Sequence, residues 1–137
     1  MLILKIIKNN IFTENHKKSE INIKFDILEY NCNFTHYCIL ISSYALMHLG
    51  IEQKGILTSS NIVINNEGKF TIDPNFEEEN NSKIKIQLAC LVDTQEVTSF
   101  IQKGSIIEDN NNKIFNQAVA LSIQVCKEYK NYIHKLI

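Results

Sequence analysis

The chain has 137 residues, 45% of them hydrophobic and 21% charged, which is the composition of an ordinary globular domain that can bury its own core. No apolar run approaches the roughly 20 residues of a membrane helix, so the sequence argues against a membrane protein. A formal net charge of −1 argues against unassisted nucleic-acid binding through a broad positive surface. We therefore expect one domain over residues 1–137.

The first third of the chain predicts a helix, a strand and a second helix. Residues 2–12 repeat apolar side chains on one helical face. Residues 21–27 (Ile-Asn-Ile-Lys-Phe-Asp-Ile) alternate apolar and polar side chains without interruption, which is typical of a strand with one buried face. After a polar break at 31–33, the mostly apolar residues 34–49 are long enough for about four helical turns. Gly50 is placed to end that helix.

The middle of the chain predicts a hairpin and an acidic loop. Residues 61–64 and 69–72 flank Asn-Asn-Glu-Gly at 65–68, where asparagine and glycine supply the backbone freedom of a tight turn. Pro74 ends the hairpin because proline has no N–H to donate to a strand. The polar residues 77–81 then predict a loop.

The last part of the chain predicts two strands and a long helix. Residues 83–90 alternate again, and 97–101 favour a short strand before Gly104. Residues 109–112 indicate a turn that also suits the cap of a helix. Residues 113–137 place apolar side chains at helical spacing, which predicts an amphipathic helix. Grouped strands with few helices indicate an α+β fold.

The cysteines indicate neither a disulfide framework nor a zinc site. The sequence has no Cys-x-x-Cys pair and no histidine at zinc-finger spacing. We expect reduced, buried thiols and neither a metal nor a cofactor. The cysteines are Cys32, Cys38, Cys90 and Cys126.

Four segments resemble, in order, the C-terminal half of the RNase PH-like domain. Residues 44–51 (Tyr-Ala-Leu-Met-His-Leu-Gly-Ile) are similar to the family helix that ends in Ala-Leu-x-x-Ala-Gly-Ile. Residues 72–79 (Ile-Asp-Pro-Asn-Phe-Glu-Glu-Glu) are similar to the family stretch Leu-Asp-x-x-x-Glu-Glu. Residues 97–104 and 118–137 follow in the family's order. The resemblance implies a β-α-β sheet covered by helices and a long C-terminal helix, with the first half of the family domain absent from this sequence.

The resemblance also implies where the family's acidic residues lie. Active members use inorganic phosphate to attack the last phosphodiester of RNA, and an acidic pair six residues apart holds a metal or the leaving group. Asp73 and Glu79 occupy these positions here, with glutamate where active members usually have aspartate. A carboxylate pair is therefore kept, in altered form.

The phosphate-binding loop of the family is degenerate in this chain. Active members carry Gly-Gly-Thr-Arg there, because glycine lets backbone amides approach phosphate and arginine contacts it through two nitrogens. The corresponding residues are Cys32, Asn33, Phe34 and Thr35, and the chain contains no arginine. Since electrostatic stabilisation dominates phosphoryl transfer, we expect no catalytic residues in this chain.

The resemblance implies a non-catalytic subunit of the eukaryotic RNA exosome ring, found in nucleus and cytoplasm. Such a subunit supports 3'-5' RNA processing, including that of ribosomal RNA, and RNA degradation by holding other RNase PH-like ring subunits, and it meets RNA through the assembled complex. One alternative is a phosphate-dependent 3'-5' exoribonuclease that uses Asp73 and Glu79 with arginines of a partner. Another is an unrelated α+β interaction module. Apolar surface left open by the absent half also predicts self-association in isolation.

Other chemically suggestive residues have simpler interpretations. The three glutamates at 77–79 are typical of solvated surface rather than of a metal site. His36 and Cys38 point to different faces of a helix, which favours packing over a nucleophile and base pair. Tyr129 and Tyr132 stand on the apolar stripe of the last helix, so core or subunit contacts are favoured over stacking on RNA bases.

Overall fold

The computed structural model describes residues 2–31, 33–105 and 112–136. These segments contain four α-helices, one short 3-10 helix and a four-stranded sheet. The α-helices are α1 (Leu2–Asn10), α2 (Thr35–His48), α3 (Phe76–Asn80) and α4 (Lys113–Leu136), and the 3-10 helix is Thr13–His16. The strands are β1 (Leu57–Asn65), β2 (Phe70–Ile72), β3 (Ser82–Leu91) and β4 (Glu96–Lys103).

The first two predicted helices are confirmed. The predictions over 2–12 and 34–49 correspond to α1 and α2 with slightly shorter bounds. Gly50 follows α2 with a φ of +72°, the left-handed conformation that favours glycine. Its N–H donates to the carbonyl of Met47 at 3.0 Å, which satisfies one of the last carbonyls of the helix.

The sheet is antiparallel with the strand order β2-β1-β3-β4, so the predicted hairpin and both later strands are confirmed. Gly68, with a φ of +79°, lies in the turn of the hairpin between β1 and β2. β1 begins at Leu57 rather than at residue 61, because residues 57–60 pair with 88–91 of β3. β1 and β3 are therefore the central strands.

Helices cover both faces of the sheet. On one face, Ile6 of α1 and Ile39 of α2 pack against Leu57, Ala89 and Leu91. On the opposite face, α4 packs against side chains of β1 and β3 that point away from α1 and α2. The buried residues of this second cluster are Ile64, Ile84, Ile86 and Ala118. Since burying one such side chain contributes roughly 1.5–3 kcal/mol, the two helix layers fix the central strands from both sides.

The strand predicted over 21–27 is wrong. Residues 20–31, the unpaired segment, carry no helix or strand and make no backbone hydrogen bond within the described chain. Most of their side chains are exposed. Alternation alone does not make a strand, because a strand needs a neighbour for its N–H and C=O groups, and no described strand runs beside this segment.

The acidic stretch after the hairpin forms α3, so the predicted loop is wrong over residues 77–80. Asn75 caps the helix: its Oδ1 accepts the N–H of Glu78 at 2.8 Å, and the Glu78 carboxylate accepts the N–H of Asn75 at 2.9 Å. This reciprocal capping box has the spacing Asn-x-x-Glu. The signal was therefore present in the sequence.

The long C-terminal helix is confirmed as α4. Of the turn predicted at 109–112, residues 109–111 lie outside the described residues. No helix in the described segments combines the length and apolarity needed to cross a membrane. The buried stripe of α4 is Ala118, Ser122, Val125, Cys126 and Ile133.

Candidate functional site

Asp73 stands where β2 ends and the chain turns toward α3. Its N–H donates to the carbonyl of Asn61 at 3.0 Å, which continues the pairing of β2 with β1 by one residue. Its φ of +50° is left-handed, a conformation that aspartate tolerates better than most non-glycine residues. This turn places the carboxylate beside side chains from α2 and α4.

Both carboxylate oxygens of Asp73 have partners within the chain. His36 Nε2 of α2 lies 2.8 Å from Asp73 Oδ1, within the distance of an ion pair. The hydroxyl of Tyr129 on α4 donates to Asp73 Oδ2. On the other side of the imidazole, His36 Nδ1 lies 3.3 Å from the carbonyl oxygen of Asn33. Asp73 thus joins the two helix layers at one end of the sheet.

The surroundings of Asp73 lower the pKa of Asp73 and raise the pKa of Tyr129. Burial raises the pKa of Asp73, but the contacts with His36 and Tyr129 outweigh it and hold the pKa below its usual value. Burial and the neighbouring carboxylate together raise the pKa of the Tyr129 phenol. Asp73 is therefore ionised and Tyr129 is a neutral donor at neutral pH.

Glu79 holds the loop that precedes α2. Its Oε2 accepts the N–H of Asn33 at 3.1 Å, and its Oε1 lies 3.6 Å from the ammonium of Lys85 on β3. The N–H of Thr35 is bound in turn by Asn33 Oδ1 at 3.1 Å. The backbone amides of Asn33 and Thr35 are thus satisfied by side chains of the same molecule.

A small cavity of about 190 Å³ with both polar and apolar walls opens between this loop and the sheet. The Asn61 side chain in its wall is buried, with 3% exposure, and its Nδ2 has no partner in the described chain. The same holds for Nε2 of Gln87. Amide donors and lysine charges suit a small polar or anionic group. The polar residues of the lining are Asn33, Thr35, Asn61, Glu79, Lys85, Gln87 and Lys103.

The structure divides the residues of the expected acidic pair between two places. Glu79 lines the cavity, whereas Asp73 is not among the described residues that line it. Asp73 is bound to His36 and Tyr129, and Glu79 to the loop at Asn33. The two carboxylates do not face one open space as a free pair.

The residues of the degenerate phosphate loop are only partly described. Cys32 lies outside the described residues. Phe34 precedes α2, is 38% exposed and meets Tyr30 edge to face, with 5.8 Å between ring centroids. Asn33 and Thr35 form the rim of the cavity.

Several polar residues of the site were not expected from the sequence. The sequence favours packing roles for His36 and Tyr129, and nothing in their spacing indicates that residues so far apart in the chain meet at Asp73. A signal did exist for Lys85 and Gln87, because alternate residues of a strand share one face. The register then brings Asn61 of β1 opposite Gln87.

No cluster of three or more histidine, cysteine, aspartate or glutamate side chains suited to a metal ion occurs in the segments that the structure describes. The described cysteines Cys38, Cys90 and Cys126 are buried and unpaired by disulfides. Burial raises the pKa of the Cys38 thiol. The prediction of buried thiols is confirmed for these three residues.

No family model matches the chain, and no curated protein matches it in sequence. Among solved structures, it is similar to the crystal structure of rice (Oryza sativa) Rrp46, with 14% identity and a TM-score of 0.68. The match covers 78% of this chain and 49% of the rice chain, so this chain spans about half the length of rice Rrp46. At this identity the similarity shows the fold alone, and it confirms the α+β fold class and the structural likeness to an RNase PH-like protein.

Proposed function

We propose that the chain is a non-catalytic structural subunit of an RNA exosome ring, which holds neighbouring RNase PH-like subunits while a separate nuclease shortens RNA. The likeness of its fold to rice Rrp46 supports the exosome part of the proposal. A net charge of −1 favours contact with RNA through the assembled complex rather than by this chain alone. Subunits of this kind belong in the nucleus and the cytoplasm, where the chain would act in RNA processing and degradation.

The non-catalytic part rests on one observation, the engagement of Asp73 on both oxygens. A carboxylate that holds a metal or a leaving group needs an oxygen facing the substrate. Here one oxygen faces His36 and the other accepts a hydrogen bond from Tyr129. His36 is fully buried, so exchanging it for a ligand would leave an unpaired imidazole in the interior. The geometry therefore favours a structural role for Asp73.

The loop before α2 supports the same conclusion. Backbone amides that bind phosphate must be unoccupied, yet the amides of Asn33 and Thr35 already bind Glu79 Oε2 and Asn33 Oδ1. The Glu79 carboxylate thus accepts the hydrogen bond that the Asn33 N–H would otherwise donate to an anion. The nearby lysines, Lys85 and Lys103, act as point charges and lack the two-nitrogen contact of arginine.

The enzyme alternative makes a different demand on the same residues. A phosphorolytic exoribonuclease would have to free Asp73 and Glu79 from their partners and take arginines from a neighbouring subunit. In that case Asp73→Asn would abolish phosphate-dependent shortening of RNA by the complex. A structural subunit would leave the rate of shortening unchanged in the same variant.

Purification from the native cells with a C-terminal tag tests the proposal. We expect other ring subunits to co-purify, and we expect the complex to shorten a 5'-labelled RNA at the same rate with wild-type chain and with Asp73→Asn. Glu77→Gln, a change on the exposed side of α3, is the matched control for a lost carboxylate. Recovery of the chain without any ring subunit would contradict the ring role and favour an unrelated interaction module.

A further inference from the structure

The unpaired segment, residues 20–31, combines the side-chain pattern of a strand with backbone N–H and C=O groups that have no partner in the described chain. It makes no backbone hydrogen bond within the described chain. Its odd-numbered positions nevertheless form an apolar row of the kind that one face of a strand carries. A chain with free N–H and C=O groups on both edges is a template for another strand. The row is Ile21, Ile23, Phe25 and Ile27.

Apolar surface surrounds this segment. A groove of about 640 Å³ separates it from α2, with Phe34, Tyr37 and Ile41 in the opposite wall. Leu28 is 97% exposed and Ile41 is 60% exposed. Exposed apolar side chains along a groove are typical of an interaction surface.

One antiparallel register makes two copies of the segment complementary to each other. With Phe25 opposite Phe25 of a second copy, Ile23 faces Ile27 and Lys24 faces Asp26, and two-fold symmetry repeats both pairs. The apolar row of one copy then continues in the other. The Lys24 and Asp26 side chains are 83% and 72% exposed and form an ion pair with each other at 3.0 Å, so both are accessible for exchange.

The adjacent registers are disfavoured by charge. A shift that keeps apolar residues on one face moves the symmetry axis from Phe25 to Lys24 or to Asp26. Either shift places like charges directly opposite each other, which destabilises an antiparallel pair. Of these three registers, only the one centred on Phe25 places opposite charges face to face and pairs Ile23 with Ile27; Ile21 then lies opposite Glu29 at the end of the row.

We propose that the unpaired segment is a docking strand for a second copy of this chain, paired antiparallel about Phe25 with reciprocal Lys24 and Asp26 contacts. The pairing satisfies backbone groups that the isolated chain leaves open, and it covers the apolar row. The inference is independent of the proposed ring role, because it rests on the sequence of the segment and on its missing hydrogen bonds.

Charge exchange tests the register. Sedimentation velocity of the wild-type chain should show a dimer. Lys24→Asp and Asp26→Lys should each weaken self-association about tenfold or more, because each variant replaces two attractive pairs by two repulsive ones. An equimolar mixture of the two variants should restore a dimer of mixed composition, since each then offers the charges that the other lacks. Both positions are exposed, so neither change should disturb the fold.

The controls carry the same charge changes elsewhere. Lys135→Asp and Glu128→Lys, at exposed positions of α4, should associate like the wild type. The proposal is overturned if the wild type is a monomer up to its solubility limit, if the segment variants associate as the wild type does, or if the mixture stays monomeric. Each of these outcomes contradicts the register itself.

A covalent trap gives a second, independent readout. Phe25→Cys places a thiol on the symmetry axis, so two copies should form a disulfide with diamide, which accepts the two electrons and two protons. Asn22→Cys faces Leu28 in the same register and should remain uncrosslinked. The wild-type chain is the background control, because its described cysteines are buried. Equal crosslinking of the two variants would contradict the proposed pairing.

Discussion

The start of β1 and the unpaired segment show opposite relations between sequence pattern and structure. Residues 57–60 (Leu-Thr-Ser-Ser) are mostly polar, yet they form a central strand and are at most 1% exposed. Residues 21–27 have the clearest alternation in the chain, yet they form no strand, and Ile27 is 47% exposed. The difference lies in the neighbours, since residues 57–60 pair with 88–91 of β3 and β1 has a helix on each face. A strand is defined by its pairing partners more than by its own side chains.

The largest expected effect compares two isoleucines from these regions. Ile86 of β3 is fully buried beneath α4, whereas Ile23 is 39% exposed in the unpaired segment. Ile86→Ala should lower the free energy of unfolding by about 2–5 kcal/mol, because it removes buried methyl groups and leaves a cavity. Ile23→Ala should lower it by less than about 1 kcal/mol. Urea denaturation followed by circular dichroism measures both.

Similar losses for the two isoleucine variants would mean that the segment is packed as tightly as the sheet. The measurement should be made at a concentration where the chain is monomeric. Otherwise Ile23→Ala would also report on the proposed pairing of two copies.

The next effect concerns Asp73, which contacts His36 of α2 and Tyr129 of α4. Asp73→Asn keeps the size of the side chain and suits the left-handed backbone, but it removes the charge that faces His36. We expect a loss of about 1–3 kcal/mol in the free energy of unfolding at pH 7. The same denaturation experiment measures it, with Asp93→Asn, on a more exposed ion pair with Lys130, as the control.

The pH dependence follows from the lowered pKa of Asp73. The folded state holds the carboxylate ionised more strongly than the unfolded state does, so its contribution is full above the unfolded pKa of about 3.9. The contribution falls as the pH drops through that value toward the lower folded pKa. Stability of Asp73→Asn should therefore fall less steeply than wild type below about pH 4. Parallel curves would show that the carboxylate gains nothing from its neighbours.

A smaller effect is expected where the unpaired segment joins the rest of the fold. Glu79→Ala removes the acceptor of the Asn33 N–H, which is the first hydrogen bond that the described residues show after the segment. The loss should be about 1 kcal/mol, or roughly a fivefold faster hydrogen exchange of the Asn33 amide. Glu77→Ala is the control, because its side chain holds no part of that loop. Unchanged exchange at Asn33 would show that Glu79 does not hold the loop in solution.

Much of the fold could be predicted because it depends on local pattern. Three patterns each favour one structure, and each prediction is confirmed. They are the apolar stripe of a helix over 113–137, the turn at 65–68 and the strand alternation over 83–90. The early start of β1 could not be predicted, because Thr58 and Ser60 are buried by the layers above and below rather than by their own apolarity. α3 differs from the predicted loop although its capping residues are visible in the sequence, because three consecutive glutamates also suit a solvated loop.

The site could be predicted only in part. The resemblance implies a pair of acidic residues at Asp73 and Glu79, and the structure places both in specific contacts. Their partners come from distant parts of the chain: Tyr129 is 56 residues from Asp73, and Asn33 is 46 residues from Glu79. Spacing along the sequence carries no information about contacts made by the packing of α2 and α4 around the sheet edge.

The smallest expected effect asks whether the polar residues of β1 stabilise it or are only tolerated there. The Ser59 hydroxyl donates to the carbonyl of Leu88 at 3.1 Å. Ser60 Oγ has no well-aligned partner in the described chain and lies near the Cys126 thiol, whose hydrogen bonds are weak. Ser60→Ala should therefore change the free energy of unfolding by less than about 0.5 kcal/mol, whereas Ser59→Ala should cost about 1 kcal/mol. Equal losses in urea denaturation would mean that the Ser60 hydroxyl is bound as well as its neighbour, and that polarity itself helps to hold the central strand.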